Sequence, residues 1–135
     1  MAKMAQRQHL VKVSGIEGYF ATFSGGSISS DTNKVYDGGN PIPEVLSGPA
    51  EADNITVGRP YDLNRDPKII AALRRQVGTF SATISVQTTD RNLNAIGKPR
   101  VYPNALLVSL TEPDYDATSG DAAQIELEFA VGAFA

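Results

Sequence analysis

The chain has neither cysteine nor tryptophan in its 135 residues. Without thiols there is no disulfide framework and no thiolate chemistry, so folding does not call for an oxidising compartment. Histidine occurs once, as His9, which leaves little material for imidazole catalysis or metal binding. Long apolar runs are missing too. No segment approaches the roughly 20 consecutive apolar residues of a membrane-spanning helix. The opening MAKMAQRQHL lacks the apolar stretch of a secretory signal. These features predict a protein made in a cytosol, without membrane insertion. Positive charge is also short: 12 Lys and Arg against 15 Asp and Glu give a net charge of −3. Apart from Arg74-Arg75 the basic residues are scattered, which argues against tight binding of DNA phosphates. It does not argue against DNA passing beside the protein.

What is present centres on residues 54–90, which read as strand, helix, strand. Asp66 followed by Pro67 is read as an N-cap with proline at the first helical position. Ile69, Ile70, Leu73 and Val77 fall at helical spacing and predict one apolar stripe. Arg74 and Arg75 suit the negative end of the helix dipole, and Gly78 is expected to end the helix. The period then changes to two. Phe80, Ala82, Ile84 and Val86 alternate with Thr79, Ser81, Thr83, Ser85 and Gln87, a strand with an apolar and a hydroxyl face.

Around this unit the chain reads as strands and loops. Residues 8–13 alternate, with His9, Val11 and Val13 on one side. Residues 18–24 form a second strand with aromatics on both faces, expected to be buried on both. Residues 98–101 form a short strand, and 105–111 a stronger one with Leu106, Val108 and Leu110 on one face. Residues 122–131 close the chain, with Ile125, Leu127, Phe129 and Val131 inward and Gln124, Glu126 and Glu128 outward. Many short strands and one helix predict a mainly β fold: an antiparallel β-sandwich or barrel with a flanking α-helix, in one domain over residues 1–135. Residues 25–53 differ. Glycines and prolines interrupt them, and a stretch of that length is usually functional or disordered. We read it as an extended arm that orders against a neighbour, with a small hairpin of residues 27–30 and 34–36 turning at Asp31-Thr32-Asn33.

No catalytic constellation emerges. His9 reads as a strand histidine at a partly buried edge. Ser24-Gly25-Gly26-Ser27 lacks the helix and lysine of a phosphate-binding loop. Asp114, Asp116 and Asp121 suggest a calcium loop, but Ser119 stands where the sharp-turn glycine belongs and Ile125 where the bidentate glutamate belongs. Glu126 and Glu128 share a strand face and read as a solvated row rather than an acid/base pair. No cofactor and no metal ligand set is expected.

An ordered series of short motifs covers nearly the whole chain. Gly18-Tyr19-Phe20 is followed by Asp37-Gly38-Gly39, then by Pro43-Glu44-Val45-Leu46 with Gly48-Pro49. Asn54-Ile55-Thr56-Val57 leads into Arg59-Pro60, and the helix ends at Val77-Gly78 before a strand closing with Asp90. Tyr102-Pro103-Asn104-Ala105-Leu106-Leu107 and Pro113-Asp114 complete it. This series resembles the tail tube (major tail) proteins of long-tailed bacteriophages and of related injection machines. The resemblance implies a small β-sandwich or barrel in hexameric rings that stack into a hollow tube conducting DNA during genome ejection. It implies further partners (tape measure, baseplate or tail tip, sheath), assembly in the host cytoplasm and a final place in the virion tail. The tube protein of a contractile or type VI-like system shares the fold and stays open.

Two other classes stay open: a small ligand-binding β-sandwich module, weakened by the absent tryptophan, and a hydrolase with a cryptic site. On the tube reading, Ser27, Ile28, Lys34, Val35 and Tyr36 belong to a subunit-interface arm. The rows Ser81, Thr83, Ser85, Gln87 and Gln124, Glu126, Glu128 are the candidates to face the lumen, because a passage for DNA should be polar and neutral to acidic.

Overall fold

A computed structural model describes residues 3–132. In chain order the elements are β1 (His9–Val13), β2 (Thr22–Gly25), β3 (Ile28–Val35), β4 (Glu44–Ala52), β5 (Ile55–Pro60), α1 (Asp66–Leu73), β6 (Ser81–Thr88), β7 (Arg100–Thr111) and β8 (Gln124–Ala130). Among the described residues, six strands form one antiparallel sheet in the order β1-β6-β7-β8-β5-β2, while β3 and β4 pair only with each other. The fold is mainly β with one helix, and the large sheet curls into a half-barrel. Its two edge strands approach one another. Val11 and Phe20 form an antiparallel bridge, the Phe20 amide donates to the Val11 carbonyl at 2.9 Å, and His9 Nε2 lies 2.9 Å from the Ala21 carbonyl oxygen.

The core lies inside the curl. Val11, Val13, Ile55, Val57, Ala82, Ile84, Leu127 and Phe129 come from strands that alternate as expected, and Leu73 joins them from α1. β6 and β8 keep strict period two, so their apolar and polar residues separate cleanly. β7 does not. It is one twelve-residue strand rather than two, and its buried residues are Tyr102, Ala105 and Leu107, with Leu110 packed against the core. Pairing slips by one residue opposite Ala82/Ile84, where Asn104 has a φ of 54°. It slips again at Leu107/Ser109. Each bulge is an odd step and reverses which face looks inward. The expected face of Leu106, Val108 and Leu110 is therefore wrong: Val108 is exposed and Leu106 only half-buried.

The helix departs from expectation at both ends. Asp66 is its first residue rather than its cap; Arg65 holds the cap position and makes no side-chain capping bond. The Asp66 carboxylate is engaged elsewhere, by Arg59, by the Asp62 amide and, at 3.3 Å, by the Arg65 Nε. α1 ends at Leu73, so Arg74 caps it and Arg75 lies beyond. Residues 74–79 form turns, in which Gly78 (φ 91°) donates its amide to the Leu107 carbonyl at 2.7 Å. That bond ties the turn onto β7 and carries Val77 off the apolar stripe, 41% exposed. Ile70 and Leu73 are buried as expected. The strand expected over residues 18–24 begins only at Thr22; of its aromatics, Phe20 is buried and Phe23 packs partly buried against the core, but Tyr19 is exposed.

Candidate assembly surfaces

Residues 25–53 form a regular two-stranded ribbon, not a short hairpin. β3 runs straight through Asp31-Thr32-Asn33 and pairs with β4 from Ile28↔Ala52 to Val35↔Glu44. The reversal comes at residues 36–43 instead. A register slip between Ser30 and Thr32 places an extra residue on β4 near Gly48-Pro49, where proline's missing amide costs no ladder bond. The ribbon continues the β2–β5 ladder: the Asp53 amide donates to the Ser27 carbonyl at 3.0 Å. At its root, Gly25 and Gly26 have φ of 89° and 74°. A Cβ on Gly25 would collide with the Asn54 carbonyl, and one on Gly26 would lie 2.8 Å from the Tyr102 hydroxyl. Only glycine fits this junction. The Tyr102 hydroxyl donates to the Gly26 carbonyl at 3.4 Å and holds the base of the arm to β7.

Beyond its root the arm buries almost nothing. Ile28, Val35, Tyr36, Ile42, Val45 and Leu46 are all exposed. The pairing puts Ile28 beside Ala52 and Lys34 beside Val45 on one face, and Asn33 beside Leu46 on the other. Apolar side chains therefore occur on both faces, and among the described residues both outer strand edges are unpaired. Ser27 sits at the root, Ile28, Lys34 and Val35 in β3, and Tyr36 at the start of the reversal. Val45, Leu46 and Ile42 complete the same surface from the β4 side and escaped the sequence reading, because Gly48-Pro49 disguised their strand.

The two polar rows share the sheet face turned away from the core, separated by β7. Glu128 pairs with Ser109 and Thr56, and Glu126 with Thr111 and Gly58, so these two glutamates have no apolar side chain beside them, whereas Gln124 pairs with Pro60. The β6 row is more mixed: Ser81 pairs with Leu106, while Ser85 lies between Lys12 and Val101. The turn after β7 carries Asp114 and Asp116. There the Thr118 amide, and next its hydroxyl, hold Asp116 below the ordinary carboxylate range.

One buried polar node was not foreseen. Arg59 follows Ile55 and Val57 at an inward position of β5 and is 2% exposed. Its Nη2 donates to Asp66 Oδ1 at 2.7 Å, its Nη1 to the Glu17 carbonyl at 2.6 Å, and its guanidinium lies 4.6 Å from the Phe20 ring centre. Asp66 Oδ2 accepts the Asp62 amide at 2.8 Å. The node fastens β5, the 17–20 segment and the start of α1 together. Among the described residues no group of three or more His, Asp or Glu is placed to hold a metal ion. The His9 ring lies between two backbone carbonyls, Gln6 at 2.8 Å and Ala21 at 2.9 Å.

No protein-family model matches the chain, and no curated protein matches it. Solved structures do resemble it. A chain of the anti-feeding prophage cap, described as the AFP tube terminating cap, has a TM-score of 0.82 at 20% identity, over 100% of this chain and 91% of that one. A chain of the sheath-tube complex of PVC, an extracellular contractile injection system, in its extended state has a TM-score of 0.81 at 24% identity, over 98% and 90%. Hcp1 from Flavobacterium johnsoniae has a TM-score of 0.51 at 14% identity, over 92% and 89%. At these identities the likeness is one of fold.

Proposed function

We propose that this chain is a structural, non-catalytic subunit that polymerises as stacked, hexameric rings into the hollow tube of a phage-tail-like injection machine. The observation that carries this reading is the arm. A lone two-stranded ribbon is marginally stable in water, and this one has apolar side chains on both faces with two open edges. Such a surface is satisfied by a neighbouring subunit, and a ring or stack of identical copies supplies one. The fold likeness to chains of tube caps and sheath-tube complexes supports the same reading. It also favours an injection machine, the alternative left open by the sequence, as the setting. The polar face of β6 and β8 suits the wall of a passage. DNA is the cargo proposed to move along it, and the machine's other parts (tape measure, baseplate, sheath) contact the finished tube.

The test is assembly of the purified protein. Sedimentation at rising concentration and negative-stain images should show rings and tubes. The arm amides should exchange rapidly in the monomer and slowly in the tube. Replacing residues 27–52 with a short Gly/Ser linker should leave the domain folded but unable to polymerise. A stable monomer at every concentration would overturn the proposal and favour a ligand-binding module.

A further inference from the structure

Outside the arm, the most distinctive surface is a groove of about 460 Å³ where β1 and β2 meet. Met4, Phe23 and Val86 line it together with Arg7, His9 and Arg100. Arg100 lies 5.4 Å from the Phe23 ring centre. Among the described residues neither Arg7 nor Arg100 has a carboxylate within salt-bridge distance. The groove is therefore an apolar slot between two uncompensated guanidiniums. Its complement lies on the same chain. In the turn after β7, Tyr115 is 92% exposed and stands between Asp114 and Asp116.

The two features sit at opposite ends. Arg100 opens β7, and the acidic turn leaves the other end of that twelve-residue strand, roughly 35–40 Å away at about 3.3 Å per residue. They cannot meet within one copy. The groove also lies at the end from which the arm departs, since Tyr102, two residues after Arg100, holds the arm's root. A copy stacked on that end would present its acidic turn.

We infer that Asp114-Tyr115-Asp116 of one copy docks in the Arg7–Arg100 groove of the next, a head-to-tail contact that gives the assembly its polarity. This rests on the tube reading. Tyr115 supplies the aromatic anchor, and its ring meets the apolar floor and the Arg100 guanidinium. Asp114 and Asp116 face the two arginines. Because the joined surfaces differ, the contact is heterologous and propagates instead of closing on itself as a dimer. Charge pairing at such a contact makes association steep in salt.

The experiment compares tube formation at about 0.1 M and about 1 M salt, where screening lengths are roughly 10 and 3 Å. Wild-type tubes should shorten at high salt. Arg7→Glu/Arg100→Glu and Asp114→Lys/Asp116→Lys should each raise the concentration needed for stacking about tenfold or more at low salt, and mixing the two variants should restore assembly. Tyr115→Ala should weaken stacking at both salts. Circular dichroism checks folding, and Arg7→Glu alone spares the Arg100–Phe23 contact if the double variant fails to fold. If all variants build tubes like the wild type, this inference fails while the tube reading stands. If the mixture does not rescue, the groove takes a different anionic partner and the pairing is overturned. If the wild type forms no rings or tubes at any salt, both fall.

Discussion

Removing the Asp66 carboxylate should be among the costliest single changes in the molecule. Arg59 is a buried guanidinium, with Asp66 its charged partner at 2.7 Å. Among the described residues, the guanidinium in Asp66→Ala keeps only the Glu17 carbonyl and the Phe20 ring, and its Nε already lacks a partner. Breaking a buried pair from one side costs about 3–5 kcal/mol. The half-buried Asp62 amide loses its acceptor as well, which adds at the low end of about 1–3 kcal/mol. Against a total stability of about 5–15 kcal/mol this is a large fraction. At about 3–5 °C per kcal/mol for a domain of this size, the melting temperature should fall by roughly 12–30 °C. Thermal and urea melts followed by circular dichroism would measure it. Arg59→Met/Asp66→Leu removes both buried charges, leaves only the partly exposed Arg65 without its carboxylate, and should recover most of the loss. A single variant melting within about 2 °C of wild type would refute the account. So would a double variant as unstable as the single, since the loss would then come from the helix start and not from a stranded charge.

Three further outcomes are expected. Leu73→Ala, which empties a buried site between α1 and the sheet, should cost about 2–5 kcal/mol in a urea melt; an unchanged midpoint would contradict the packing of the helix. Glu126→Lys/Glu128→Lys should permit assembly yet slow DNA ejection in a salt-dependent way, whereas a tube with both polar rows on its outer wall would end the lumen proposal. Asp90 should titrate below the ordinary 3.8, first because the Asn94 backbone amide donates to it and then because Asn92 does. A depressed carboxylate contributes stability that is complete above its unfolded pKa and lost as pH falls through the lower folded value. Asp90→Asn should therefore soften the stability loss below about pH 3.8, and an NMR midpoint at or above that value would refute this.

Legibility in the sequence followed the regularity of the backbone. β6 and β8 were readable because one face is buried and nothing interrupts their period. β7 was not, since bulges at Asn104 and Val108 each shift the phase by one residue, and a bulge is a property of pairing rather than of composition. The place of the arm showed in its glycines and prolines, but its internal turn did not. Asp31-Thr32-Asn33 has turn chemistry, and β3 carries too few apolar residues to signal a strand, so partner pairing decided the matter. The Arg59–Asp66 node had one available signal. Ile55, Val57 and Arg59 alternate inward, and a charge at an inward position requires a buried partner.

The arrangement of strand edges gives the tube reading its physical basis. The large sheet nearly removes its own edges, because β1 meets the segment leading into β2 at Val11–Phe20 and His9 Nε2 lies 2.9 Å from the Ala21 carbonyl. Open edges outside that seam are concentrated in the β3–β4 ribbon. Exposed edges invite indiscriminate pairing, and natural sheets blunt them with lysine, proline and bulges. The ribbon has all three, in Lys34, Pro49 and the slip near Ser30. Had solubility been the sole requirement, its exposed positions would carry polar residues. Instead Ile28, Val35, Val45 and Leu46 keep apolar surface in water beside those protective features. A ribbon guarded against arbitrary partners yet left apolar on both faces suits one specific partner. On the tube reading, that partner is another copy of the same chain.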